Sequence, residues 1–100
     1  MERKLLDFYA DWCGPCTGMK PIIEKLKQEV LEPNGIIYEE INIDPDNNHH
    51  FVESIKQQFD IIGVPTFITM EDGQEIDRRH GGYLKEIKAF IKNSFPDIQI

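Results

Sequence analysis

Cys13 and Cys16 are the only cysteines in this chain, and their C-x-x-C spacing falls between a short apolar run and an amphipathic stretch. With no further thiols there is no disulfide framework, so the fold has to rest on an apolar core. A bridge inside the pair closes a very short loop, and chain-entropy stabilisation grows with loop length. The pair is therefore read as chemical rather than architectural. A length of 100 residues allows one core and one domain, 1–100. Hydrophobic residues at 40% and charged residues at 29% match globular usage, which excludes a disordered tail. The formal net charge of -7 repels phosphate backbones and anionic lipid, so nucleic acid is not an expected partner. The apolar runs are only a few residues long, and Asp7 breaks the first of them, so neither a membrane span nor a signal peptide is expected.

The segment Lys4 to Tyr9 reads as a buried strand with Asp7 inside it. A charge in an apolar strand is costly unless it has a task or a partner. Met19, Ile22, Ile23, Leu26 and Val30 recur at helical spacing, which predicts a helix that begins beside the cysteines. Pro15 suits its first turn, Pro21 should kink it, and Leu31 to Gly35 should stop it. Ile36 to Ile43 reads as a second strand. A helix is expected next, capped by Asp46, Asn47 or Asn48 and striped by Phe51, Val52, Ile55 and Phe59. Val64 to Met70 reads as a third strand, Glu71-Asp72-Gly73 as a hairpin turn, and Gln74 to His80 as a fourth, more polar strand. Beyond Gly81-Gly82, the residues Leu84, Ile87, Phe90 and Ile91 stripe a last helix, and Ser94 to Ile100 shows no period. The order βαβαββα predicts parallel first strands joined by a right-handed crossover, with the hairpin adding antiparallel strands.

A thiol attacks as thiolate, and a free cysteine with a pKa near 8.5 is mostly protonated at neutral pH. At a strand-to-helix junction Cys13 meets free backbone N–H groups and the positive end of the helix dipole. Cys16 then lies one turn further along and deeper, within reach of a mixed disulfide on Cys13. On this reading Cys13 is the only fast-reacting thiol.

Trp12-Cys13-Gly14-Pro15-Cys16, preceded by Asp7-Phe8-Tyr9-Ala10 and followed by Pro21, resembles the active-site region of the thioredoxin family. Asn42-Ile43-Asp44 resembles the end of that family's central strand, and Gly63-Val64-Pro65-Thr66 its cis-proline loop. Asp72-Gly73 and Gly81 fall at matching distances, so the likeness runs from Lys4 to about residue 93. The resemblance implies an α/β thioredoxin-like fold, with a mixed four-stranded sheet and helices on both faces. It implies a protein-disulfide reductase that cycles between dithiol and disulfide, an electron carrier in cell redox homeostasis. By position, Cys13 is the attacking thiolate, Cys16 the resolving thiol and Asp7 the carboxylate that helps move the Cys16 proton. Pro65 is cis, the Val64 backbone pairs with the substrate chain, and Trp12, Gly63, Val64 and Gly81 line the docking surface. The implied partners are disulfide-containing proteins and an upstream reductase such as a thioredoxin reductase. The implied state is a cytoplasmic monomer without cofactor or metal.

Gly14-Pro15 is the dipeptide of the reducing branch of that family. The sequence begins almost at the strand that leads into the cysteines, ahead of which the family has a further strand and helix, so the edge at Ile36 to Ile43 is expected to be bare, with Glu39 and Glu40 partly protecting it by charge. His80 stands where an apolar docking residue is usual, and Glu40 stands where many bacterial members have Lys. The strand pairing implied by the resemblance puts Glu40 near Asp7, so the two acids should titrate as a coupled pair with at least one raised pKa.

Half a zinc site needs ligands from His49, His50 and His80, but adjacent histidines point in different directions on a helix. Solvated residues in a polar first turn is the simpler account of His49 and His50. Within redox chemistry the alternative is a disulfide oxidase or isomerase. From another class comes a redox-inactive protein-binding module on the same fold.

Overall fold

The computed structural model describes residues 1–44 and 56–100. Among the described residues four strands, β1 (Arg3–Tyr9), β2 (Ile37–Asn42), β3 (Thr66–Glu71) and β4 (Gln74–Arg79), form one sheet in the order β2-β1-β3-β4. β1 and β2 are parallel neighbours, and the other two pairings are antiparallel, as the crossover and hairpin predict. The helices are α1 (Gly14–Gly18), α2 (Lys20–Leu26) and α3 (Leu84–Ser94). The helix expected over Phe51, Val52 and Ile55, its caps, and His49 and His50 lie outside the described residues. Residues 56–59 are helical. No helix among the described residues is long and apolar enough to cross a membrane.

Alternation along β1 sends Leu5 and Asp7 to one face and Leu6 and Phe8 to the other. On the first face Leu5 and Phe67 pack with Met19, Ile23 and Leu26 of the first helical segment and with Ile87, Phe90 and Ile91 of α3. On the second, Leu6, Phe8 and Ile68 pack with Cys13, Ile43 and Ile61, and Phe59 joins from the edge. Cys13 thus belongs to the core on the face opposite α2 and α3, and Cys16 packs against its margin.

The first helix breaks where its proline requires. Pro21 has no N–H for the Thr17 carbonyl, and the chain turns at Met19 before α2 begins. Beyond α2 the residues Lys27–Leu31 form a π-helical turn that periodicity does not foresee, and it delivers Val30 and Leu31 to the core. The turn at Asp72-Gly73 has positive φ at both residues (50° and 83°), the geometry that matches strand twist in a two-residue hairpin. A register shift between Thr69 and Met70 leaves Ile76 as an extra residue on β4, half-exposed.

β3 starts at Thr66 rather than Val64, because Pro65 has no N–H for the ladder. The tail is irregular beyond Ser94, as the missing period predicts, yet it is not peripheral. Phe95 and Ile98 are buried in the first cluster, and the Arg3 guanidinium lies 4.8 Å from the Phe95 ring centroid. Asn34 and Gln99 exchange two hydrogen bonds that hold the tail against the end of the first helical segment.

Candidate active site

β1 delivers the chain to the site. The Cys13 N–H donates to the Ala10 carbonyl, closing a turn that leaves Trp12 two-thirds exposed at its tip. The Ile43 N–H donates to the Tyr9 carbonyl, tying the ends of β1 and β2 together beneath that turn. Cys13 has extended backbone geometry and is the N-cap of α1. Its Sγ accepts the Cys16 N–H at 3.1 Å, and the two cysteines are joined by a disulfide with Cα atoms 5.3 Å apart. Because α1 spans only Gly14–Gly18, the favourable field at Cys13 comes from unsatisfied first-turn N–H groups rather than from a long helix.

The depths of the two sulfur residues differ from expectation. Cys13 is 5% exposed and belongs to the core cluster, whereas Cys16 is only partly buried at its margin. Sequence spacing places Cys16 one turn along the helix, but it is Cys13 that joins the cluster of Leu6, Phe8, Ile43 and Ile61, with Cys16 packed against its margin.

Asp7 is buried on the opposite face of β1 and lines a cavity of about 470 Å³ together with Tyr9, Asp11, Cys16, Lys20, Tyr38 and Glu40. The parallel register sets Asp7 beside Glu40 and Leu5 beside Tyr38, so both β2 side chains share its face. The Tyr38 hydroxyl donates to Asp7 Oδ2 at 2.5 Å. Burial pushes the Asp7 pKa up to about 6, the Tyr38 hydrogen bond opposes the rise, and the Glu40 charge adds to it. The raised value agrees with expectation, in which burial and the second acid push the same way, and burial is the larger cause. Nor is the carboxylate unpartnered, since Tyr38 holds it. Glu40 is solvent-exposed, which weakens its effect on its neighbour. Glu40→Lys should accordingly lower the Asp7 pKa by less than about one pH unit. Carboxyl NMR titration measures this, and an unchanged midpoint would remove Glu40 from the electrostatics of the site.

The residues expected on a docking surface come together on the other side of the helix start. Gly63, Val64, Pro65 and Gly81 line an open groove of about 700 Å³ with Pro15 and His80. The Val64–Pro65 bond is cis. Trp12 does not line this groove and stands exposed beside the cysteine turn. Gly81 has φ +67°, a conformation that favours glycine, and its carbonyl accepts from Arg79 Nε. The Thr66 hydroxyl donates to the Gly63 carbonyl at 2.6 Å and lies 3.0 Å from His80 Nδ1, tying His80 to the proline loop. Among the described residues, no group of three or more His, Cys, Asp or Glu side chains is placed to hold a metal ion.

Tyr38 is the site residue that sequence reading missed. A signal was present, because a parallel pairing of the first two strands puts a β2 tyrosine on the same face as Asp7, one pleat away. The register implied by the resemblance already set Glu40 beside Asp7, and Tyr38, two residues earlier on the same face, follows from it; that the hydroxyl reaches the carboxylate is shown only by the structure.

Comparison with known proteins extends over nearly the whole chain. The sequence model of the family described as Thioredoxin matches residues 1–93. A thioredoxin from Chlamydia caviae is 35% identical over 88 residues, covering 88% of this chain and 76% of the relative. The crystal structure of Chlamydomonas reinhardtii thioredoxin f2 superposes with a TM-score of 0.77 at 26% identity, covering 94% of this chain and 80% of the other. A thioredoxin f2 solved in complex with ferredoxin:thioredoxin reductase has the same fold, with a TM-score of 0.76 at 22% identity over 93% of this chain and 77% of the other.

Proposed function

This chain belongs to the thioredoxin family, and from that premise we propose how its residues share the work of reducing protein disulfides. The protein is a protein-disulfide reductase that acts through the Cys13–Cys16 pair. In the proposed cycle the Cys13 thiolate attacks one sulfur of a substrate disulfide and the other sulfur leaves as a thiolate. The Cys16 thiol then loses its proton to Asp7 and attacks Cys13. The substrate's second thiolate departs, and the Cys13–Cys16 disulfide remains.

The observation that carries the assignment of roles is the Cys16 N–H directed at Cys13 Sγ, a donor that stabilises negative charge on that sulfur. Mass spectrometry after brief alkylation of the reduced protein tests it. Cys13 is expected to react first, because thiolate fraction outweighs its smaller exposure. Preferential labelling of Cys16 would exchange the two roles.

The groove formed by Gly63, Val64, Pro65 and Gly81 is the proposed seat of the substrate chain, with Trp12 as a flanking contact. A reductase that restores the dithiol is the proposed upstream partner, by analogy with the thioredoxin f2 solved with its ferredoxin-linked reductase. An electron-carrying role in the cytoplasm suits a dithiol that must be re-reduced. The net charge of -7, with Glu39 and Glu40 on the edge strand β2, supports a monomer through self-repulsion.

A further inference from the structure

We propose that Tyr38 is a positioning residue of the reduction cycle, its hydroxyl fixing the Asp7 carboxylate in the cavity that Asp7 shares with Cys16. The proposal rests on the reading of Asp7 as the acceptor of the Cys16 proton. In the parallel register Tyr38 pairs with Leu5, two residues before Asp7 on the same face of β1. That diagonal separation is one an aromatic side chain can span. The ring packs against the core cluster containing Leu5, and the Lys27 ammonium lies 5.1 Å from its centroid. Held by apolar contact and by the cation, the phenol presents its hydroxyl to the two acids on this face; it donates to Oδ2 of Asp7, and Glu40 is the second acceptor within reach.

Burial and the facing carboxylates make the ionised form of Tyr38 still less favourable than in water, so the phenol keeps its proton throughout the cycle. Tyr38 is a fixed donor and not a proton source. Its hydrogen bond occupies one carboxylate oxygen and leaves the other to accept a proton. In the resolving step the Cys16 S–H proton passes to the free oxygen of Asp7. The sulfur's electron pair forms the bond to Cys13, and the substrate sulfur leaves with the electrons of the broken bond and is protonated by solvent. Asp7 afterwards returns its proton to solvent.

The other charged or titratable groups around this cavity are Tyr9 on β1, Asp11 in the turn, Lys20 and Glu24 on α2, and Glu40 on β2. Burial and Glu40 favour the protonated carboxyl, and Tyr38 works against both. Without its hydroxyl, Asp7 would be protonated over part of the neutral range and unable to accept.

Tyr38→Phe keeps the ring and removes the donor. Three quantities are read in this variant and in the wild type: the Asp7 midpoint by carboxyl NMR, the pH profile of mixed-disulfide decay, and the rate of initial attack. The variant's Asp7 midpoint is expected to rise by about one pH unit, and decay on the acid limb to slow about tenfold. Initial attack should be unchanged. A difluorotyrosine in place of Tyr38, a stronger donor of nearly the same shape, should move the midpoint downward, which a merely structural role would not do. Asp7→Asn separates the two layers of the argument. If it resolves the mixed disulfide at the wild-type rate, the proton-acceptor reading falls and the proposal falls with it. If Asp7→Asn is slow while both Tyr38 variants keep the wild-type midpoint and profile, that reading stands and the positioning role of Tyr38 is overturned.

Discussion

Cys16→Ser should turn the protein from a catalyst into a trap. Attack by Cys13 still forms the mixed disulfide, but the serine hydroxyl at position 16 cannot displace it. Release then depends on external thiol, whereas an oriented intramolecular group acts at an effective concentration on the order of 10⁵ M. Multiple-turnover reduction of an insulin-type substrate should drop by roughly a thousandfold or more under that loss of proximity. A substrate adduct on Cys13 should accumulate, visible as a mass increase that dithiothreitol reverses. Cys13→Ser should lose turnover equally and form no adduct. An adduct that persists in Cys13→Ser and is absent in Cys16→Ser would show that the thiols have the opposite roles. No adduct in either, with no turnover in the wild type, would return the chain to a binding module whose thiols are incidental.

Asp7→Asn should pull activity and stability in opposite directions. An amide cannot take the Cys16 proton, and loss of a positioned general base costs on the order of a hundredfold, confined here to resolution of the mixed disulfide. Stability should rise at neutral pH. The Asp7 pKa moves from 3.8 to about 6 in the folded chain, so the folded state binds this proton more tightly than the unfolded state does. The contribution of Asp7 to stability is thus fully present below 3.8, is lost as pH rises through about 6, and stays lost above that. The difference corresponds to about 3 kcal/mol, and because Asp7 is buried little of it is screened by solvent. Asparagine removes the ionisation while its carboxamide oxygen can still accept from Tyr38. Urea unfolding of both proteins at pH 3.5 and pH 8 checks the sign. The variant should gain on the wild type chiefly at pH 8, by up to about 3 kcal/mol. Equal gains at both pH values, or none, would mean that Asp7 carries no buried charge in the folded state.

What the sequence determined by itself was whatever repeats locally or follows from the chemistry of one residue. The short apolar run in Lys4 to Tyr9, the helical stripe from Met19 to Val30, the missing N–H of Pro21 and the Asp72-Gly73 turn each act over a few neighbours. Each is found close to where it was expected. The thiol pair and its place at the start of a helix were legible for the same reason, and the fold class followed from their order with the family resemblance.

What only the tertiary structure decided depends on which distant groups come to lie against one another. No local pattern in β2 specifies its register, since that strand is at best half-buried on either face, and although the resemblance supplied a pairing, only the structure shows the Tyr38 hydroxyl reaching Asp7 across 31 residues. Cys13 lies inside the cluster of Leu6, Phe8, Ile43 and Ile61, whereas Cys16 is only partly buried against it, a difference that sequence spacing does not contain. Phe95 and Ile98, in a stretch without period, complete the core because the fold leaves a gap against Leu5 and Val30 that apolar side chains fill. Periodicity records which face of an element is apolar. Burial, and with it the pKa of a carboxylate such as Asp7, depends on what the rest of the chain lays over that face.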